Sequence, residues 1–149
     1  MKAEIESTRF SAGLAIFSAL DPIPYGFFVG ALIFDMIYAN TAVILWMKSA
    51  AWLITLGLIF AIVPQLIQLA TVWFRKSQAR SRGQVINFWL NVVAIIAALL
   101  NAFVHSRDAY AVIPAGVWLS IVTVLAMLAG RIILSSGKFI YEETSNGQA

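Results

Sequence analysis

The residues best suited to chemistry in this sequence are a carboxylate within an apolar run and the chain's single histidine. Asp35 lies inside the first apolar segment, and His105 lies at the end of the third. A carboxylate among apolar side chains is costly unless it is protonated, hydrogen-bonded or paired, so Asp35 needs a partner. One candidate at the same depth is His105. The others are Arg107 and Lys48, whose long side chains would extend inward from the outer surface. An Asp35–His105 pair would exchange protons, whereas an Asp35–Arg107 pair would anchor the outer loops; we favour the anchor.

A second pattern is a polar stripe along the third apolar segment. Its members recur at i, i+4, i+7, i+11, i+14 and i+18, which places them within about 80° of one another around a helix. They are Asn87, Asn91, Ala94, Ala98, Asn101 and His105. Such a stripe either packs helices together through small residues and amide hydrogen bonds, or lines a route for a ligand or a proton. We favour the packing interpretation.

The fourth apolar segment carries a matching stripe of small and polar residues. Its members are Gly116, Ser120, Thr123, Met127 and Gly130. Two such stripes allow close approach and hydrogen bonding, so we expect the third and fourth helices to pack together. The residues assigned to helix packing are Asn87, Asn91, Ser120, Thr123 and Gly130. The candidate ligand or partner site groups the polar residues expected near the outer face, namely Asp35, Tyr38, Asn101, His105 and Arg107.

The inventory of reactive side chains excludes most catalytic chemistry. The chain has no cysteine and one histidine, which leaves no ligand set for zinc or for a bis-histidine haem within one chain. The sequence also contains none of the glycine-rich phosphate-binding or nucleophile-elbow motifs. We therefore expect no metal, no cofactor and no enzymatic activity.

Composition and segment length predict a membrane protein. Hydrophobic residues make up 61% of the 149 residues and charged residues 11%, outside the usual range of soluble domains. Four apolar segments, at about 23–45, 49–74, 84–105 and 112–134, have the roughly 20 residues that cross a bilayer. Short connections favour an all-α, up-down four-helix membrane bundle forming a single domain over 1–149. We expect a short interfacial helix at 7–20 before it and a flexible tail at 144–149 after it.

A proline and a glycine predict local features of the helices. Pro64 removes a hydrogen-bond donor inside the second helix, and Gln65 and Gln68 are placed to satisfy the carbonyl that it frees. Gly137 is expected to end the fourth helix.

Basic residues are distributed unequally between the two sides of the bilayer. Eight of the ten flank one side, and they are Lys2, Arg9, Arg75, Lys76, Arg80, Arg82, Arg131 and Lys138. Only Lys48 and Arg107 flank the other. Because basic loops remain in the cytoplasm, we expect both termini to be cytoplasmic. The net charge of +3 therefore indicates attraction to anionic headgroups and excludes nucleic acid as a partner.

Three segments carry a resemblance to a known family. They are DPIPYGFFVGALIFDMIY in the first helix, NFWLNVVAIIAALLNAFVHSRDAY in the third and GVWLSIVTVLAMLAGRIIL in the fourth. Over roughly residues 18–140 the chain resembles the bacterial membrane-protein family called domain of unknown function 2231. The resemblance implies four helices and, because some members accompany periplasmic redox enzymes, a redox partner. Asp21–Pro24 and Asn87–Asn91 replace the family's histidine motifs, so a metal or haem role is not carried over.

The residues and the resemblance together indicate a non-catalytic integral membrane subunit or anchor of the bacterial inner membrane. We expect it to contact the lipid bilayer, to associate with a membrane or periplasmic redox enzyme or with further copies of itself, and to bind lipid or quinone near Asp35. The alternative function is a small oligomeric transporter or channel that uses the polar stripe of the third helix. An anchor predicts that this stripe is packed and dry, and a transporter predicts that it is hydrated.

Overall fold

A computed structural model describes residues 20–73, 82–107 and 112–146, with side chains described for 20–70, 82–107 and 112–136. Residues 7–19 of the expected interfacial helix lie outside the described residues. The described residues form four helices and no strand: α1 is Pro22–Thr41, α2 is Ile44–Trp73, α3 is Arg82–His105 and α4 is Ala115–Asn146. Each contains a segment long and apolar enough to cross a membrane. The fold is therefore an all-α membrane bundle, as the sequence predicts.

The helices form a ring in which each packs mainly against two neighbours. α1 contacts α2 and α4, and α3 contacts the same two helices. The interface between α3 and α4 is the most extensive of the four. This is the contact that the two matching stripes predict, because small residues allow the two backbones to approach closely.

α1 ends earlier than its apolar composition suggests. Ala42 adopts a left-handed conformation with a φ of 54°, and its N–H donates to the Tyr38 carbonyl at 2.8 Å. This cap ends α1 at Thr41, whereas the apolar run predicts helix to about residue 45. Ala42 and Val43 form the connection to α2. Hydropathy alone does not reveal this turn, because both of its residues are themselves apolar.

α4 extends beyond its predicted end. The helix continues through Gly137 to Asn146, so Gly137 does not end it. Glycine inside a helix costs only about 1 kcal/mol, and the sequence has no proline after Pro114 that would stop the helix. Residues 144–146 of the expected flexible tail are thus helical, and residues 147–149 lie outside the described part of the chain.

α2 passes through Pro64 as one continuous helix. The expectation that Gln65 satisfies the carbonyl freed by Pro64 is wrong, because Gln65 Nε2 has no hydrogen-bond partner among the described protein groups. Gln68 Oε1 is likewise unpartnered there. Both side chains line a cavity between the helices.

The centre of the bundle is an apolar layer built from three helices. α1 contributes Phe28, α3 contributes Ala94 and Ala98, and α4 contributes Val124 and Met127, all of them buried. The outer faces of the same helices carry large exposed apolar side chains. A helix that is apolar on both its inner and its outer face is typical of a membrane span, in which lipid covers the outer face.

The α3–α4 interface requires a glycine at position 130. A Cβ atom there would lie 2.6 Å from Asn87 Oδ1 and 3.5 Å from Leu90 Cβ. We expect Gly130→Leu to destabilise the protein by about 1–3 kcal/mol, because the side chain forces α3 and α4 apart. The matched control is Ile96→Leu on the exposed face of α3, which should cost less than about 0.5 kcal/mol. Equal melting temperatures of the two variants in detergent would contradict this interface.

Candidate functional site

Three helices bring four polar side chains together at one end of the bundle, referred to as the His105 end. α1 contributes Asp35, α3 contributes Asn101 and His105, and α4 contributes Ser120. Their exposed fractions lie between 1% and 6%, so the group is closed to its surroundings. These four residues are referred to as the buried network.

The spacing of α1 explains why Asp35 points inward. Phe28, Ala31, Asp35 and Tyr38 recur every three or four residues and therefore share one buried face of the helix. The adjacent Met36 is exposed. Asp35 cannot reach the outside of the bundle unless α1 rotates, so its carboxylate has to be satisfied by neighbouring helices.

Both carboxylate oxygens of Asp35 have partners. His105 Nε2 lies 2.8 Å from Oδ1, and Ser120 Oγ donates to Oδ2 at 2.5 Å. Asn101 Nδ2 donates in turn to Ser120 Oγ at 2.7 Å. His105 Nδ1 lies 3.0 Å from the Asn101 backbone carbonyl oxygen. The network thus joins α1, α3 and α4 through hydrogen bonds.

The partners of His105 determine how many protons the pair carries. A carbonyl oxygen only accepts, so Nδ1 must carry a proton to bond to the Asn101 carbonyl. Nε2 then bonds to Asp35 only if a second proton lies between them, on the imidazole or on the carboxylate. Either placement leaves the His105–Asp35 pair with no net charge.

Removal of the shared proton would disrupt the network wherever the remaining proton is placed. With a proton only on Nδ1, two acceptors would face each other across the 2.8 Å between His105 and Asp35. With a proton only on Nε2, the two acceptors that face each other would instead be His105 Nδ1 and the Asn101 carbonyl oxygen. Both states also leave a net negative charge among buried groups, which is strongly unfavourable. The chemistry available to this site is therefore the holding or exchange of one proton.

Gly116 provides the space that the imidazole occupies. A Cβ atom at this position would lie 3.1 Å from His105 Cε1 and 2.8 Å from Val112 Cγ1. A larger residue would push α4 away from His105 and would weaken the contacts between Ser120 and its two partners. This close approach accounts for glycine at the first position of the α4 stripe.

Arg107 does not pair with Asp35. Among the described residues the ion-pair partner of Asp35 is His105, while Arg107 and Lys48 are exposed. The interpretation that Asp35 anchors the outer loops through Arg107 is therefore wrong. A guanidinium just beyond the end of α3 keeps its hydration, whereas the imidazole already faces α1 from within α3 and loses less on burial.

Tyr38 and Ser120 complete the surroundings of the pair. Tyr38 is buried against Met47 and Val112 in an apolar cluster at the same end of the bundle. The α4 stripe predicts a packing role for Ser120 and does not predict its bond to Asp35. The signal for that bond is that a buried carboxylate needs a partner for each oxygen, and that Ser120 lies on the stripe facing Asn101.

The remaining polar residues of the two stripes hydrogen-bond within their own helices. Asn91 Nδ2 donates to the Asn87 carbonyl at 3.0 Å and to Asn87 Oδ1 at 3.2 Å. Thr123 Oγ1 donates to the Leu119 carbonyl at 2.8 Å. All three side chains are buried. They pack in the interior of the bundle, and each of the hydrogen bonds just given lies within one helix.

The apolar layer divides the α3 stripe into two polar parts. Asn91 and Asn101 lie ten residues apart in the sequence, which is about 15 Å along a helix. The stripe positions between them are Ala94 and Ala98, which pack in the layer with Phe28. The polar groups at the two ends of α3 are therefore separated by packed apolar side chains.

An ion pair closes the opposite end of the bundle, referred to as the Asp21 end. Arg131 Nη2 lies 2.9 Å from Asp21 Oδ2 and also donates to the Asp21 backbone carbonyl. The guanidinium lies 4.8 Å from the centroid of the Tyr25 ring, in a cation–π contact. Burial raises the pKa of Asp21, and the charge of Arg131 partly offsets that rise. The pair ties the start of α1 to α4.

The described residues provide no group of three or more His, Cys, Asp or Glu side chains that could hold a metal ion. At the His105 end only one histidine and one carboxylate meet, and both carboxylate oxygens are already bonded. Structural metal sites usually need four protein ligands. The contacts between the four side chains of the buried network are hydrogen bonds.

The family comparison agrees with this architecture. A family model described as a predicted membrane protein, domain of unknown function 2231, matches residues 13–133. The chain therefore belongs to this family, and the resemblance carried by its three segments is confirmed. The matched region includes α1, α2, α3 and more than half of α4. No match was found among curated proteins or among solved structures.

Two substitutions of Asp35 separate the need for hydrogen bonds from the need for a proton. In Asp35→Asn the amide can donate to His105 Nε2 and accept from Ser120, so we expect a change in stability within about 1 kcal/mol. In Asp35→Ala both partners lose their bonds, and the loss should reach about 3 kcal/mol. Thermal unfolding in detergent measures both variants. A greater loss in Asp35→Asn than in Asp35→Ala would contradict the assigned network.

Proposed function

We propose that this chain is a non-catalytic membrane subunit or anchor. The observation that carries the proposal is the apolar layer, which separates the buried network from the polar groups of the Asp21 end. A transporter or channel needs a hydrated route, and tight packing around Phe28 and Met127 opposes one. The polar side chains of the His105 end are used to join helices, which is what a rigid anchor requires.

The proposed location is the bacterial inner membrane, with both termini in the cytoplasm. Arg131 pairs with Asp21 at one end, and Arg82 begins α3 at that same end. Arg107 follows α3 at the His105 end, where Lys48 lies near the start of α2. Loops rich in basic residues remain in the cytoplasm, so the distribution supports a cytoplasmic Asp21 end and an outward His105 end.

We propose that a redox enzyme in the membrane or outside it docks at the His105 end. The exposed Arg107 offers a charge to such a partner. The resemblance, in which some family members accompany periplasmic redox enzymes, favours the same side. Lipid or quinone would lie on the adjacent apolar surface, where Phe103 and Trp118 are 68% and 64% exposed. The closed packing around Asp35 and His105 favours this outer surface over the interior of the network.

Single-cysteine labelling can measure the orientation, because the chain contains no cysteine of its own. Arg107→Cys should react with a membrane-impermeant maleimide on spheroplasts. Arg82→Cys should react only after permeabilisation, because the Asp21 end faces the cytoplasm. Both positions are exposed, so the two variants control for each other. Labelling of Arg82→Cys but not Arg107→Cys on spheroplasts would reverse the proposed orientation.

A third cysteine variant distinguishes an anchor from a transporter. Ala98 is 1% exposed and packs in the apolar layer, so Ala98→Cys should resist a water-soluble thiol reagent from both sides. Arg107→Cys reports that the reagent is active. The purified wild-type protein in liposomes should also pass protons and alkali cations no faster than protein-free liposomes. Reaction at Ala98→Cys, together with proton or cation flux faster than that of protein-free liposomes, would favour the transporter.

Native mass spectrometry of the chain, extracted with its surrounding lipid, tests whether it is a subunit. If the chain is a subunit, it should be recovered in a fixed stoichiometric ratio with a second protein that contains haem or flavin. Arg107→Glu should weaken this association at the His105 end, whereas Arg82→Glu at the opposite end should not. Recovery of the wild-type chain only by itself or as a homo-oligomer would contradict the role as a redox subunit.

A further inference from the structure

A small cavity lies between the helices at the Asp21 end. Its walls include Asp21, Pro24, Gln65, Gln68, Asn91 and Met127. It therefore extends from the Asp21–Arg131 ion pair inward to Met127, which belongs to the apolar layer. Neither the buried network nor the proposed anchor function involves this cavity.

Two side-chain amides of this cavity each have one buried atom without a partner among the described protein groups. Gln65 Nε2 and Gln68 Oε1 are buried and have no hydrogen-bond partner among the described protein groups. Most buried polar side-chain atoms in folded proteins are hydrogen-bonded, so two unpaired ones in one cavity call for an occupant. Gln65 and Gln68 lie three residues apart on α2, so their side chains are neighbours on the helix surface.

We propose that this cavity is a hydration site, in which a water molecule accepts from Gln65 and donates to Gln68. Water both donates and accepts, so it satisfies both amides whichever way each of them is turned. The cavity has room for about one water molecule, which excludes a quinone ring or a lipid headgroup. Asp21 and Asn91 line the same space and offer it further polar groups.

A monovalent cation is a less suitable occupant. Hard cations are held by several oxygen ligands at once, whereas Ala61, Pro64, Ile95 and Met127 give this cavity largely apolar walls. The Asp21 carboxylate, which would be the strongest ligand, is already paired with Arg131 at 2.9 Å. The combination of one free donor and one free acceptor matches water. Water entering from the Asp21 end is then stopped at Met127 by the apolar layer.

Solid-state NMR of the ¹⁵N-labelled protein in lipid bilayers tests the site directly. Magnetisation from water protons should reach the side-chain amide of Gln65, which is identified by its loss in Gln65→Met. Gln84 is exposed at the start of α3 and serves as a hydrated control. Transfer to Gln84 but not to Gln65 would overturn the proposal.

A double-mutant cycle provides an independent test. Gln65→Met and Gln68→Met should each lower the Tm by about 2–4 °C, because either change deprives the water of a partner. The double variant should lower it by less than the sum, because the water is lost only once. Leu66→Met, at a position 58% exposed on the same turn, controls for the methionine side chain.

Two results of this cycle, and one result of adding Na⁺, would overturn the hydration site. In a dry cavity each substitution removes an unpaired polar atom, so a rise in Tm would exclude a bound water. Additive falls in Tm would show that the two glutamines do not share an occupant. A Tm that rises with Na⁺ in the wild type, but not in Gln68→Met, would identify a cation as the occupant.

Discussion

The burial of a carboxylate within a membrane helix is the constraint on which the rest of this structure depends. Asp35 is 1% exposed, and lipid offers it no hydrogen bond, so its partners must come from other helices. An imidazole from α3 and a hydroxyl from α4 meet its two oxygens. These bonds determine which faces of α1, α3 and α4 point inward. They also require close packing around His105, which a glycine at position 116 allows.

The same constraint accounts for the separation of polar groups along the bundle. Polar side chains are stable in a membrane only where they are paired or reach the aqueous surface. Asp35 and His105 satisfy the first condition at one end, while Asp21 and Arg131 form a partly exposed ion pair at the other. Packed apolar side chains around Phe28 occupy the space between the ends. This arrangement leaves one proton held between Asp35 and His105 at the His105 end.

The sequence predicts the four helices well because crossing a bilayer requires a minimum apolar length, and the facing stripes predict the α3–α4 interface. It does not predict the end of α1, because the cap depends on the backbone conformation of Ala42 rather than on hydropathy. For Asp35, the sequence indicates which residues lie at the same depth but not where their side chains point. His105 and Arg107 are therefore both candidates on sequence, and the direction in which the His105 side chain points, toward Asp35, distinguishes them.

The protonation of His105 tests the central claim most directly. His105 is the only histidine, so ¹⁵N NMR of the imidazole in bilayers reports on this residue alone. The hydrogen bonds predict that Nδ1 is protonated, with a second proton shared between Nε2 and the Asp35 carboxyl group. A one-bond N–H coupling at Nδ1 is the expected result. An unprotonated Nδ1 would contradict the assigned network, because the Asn101 carbonyl would then face a lone pair.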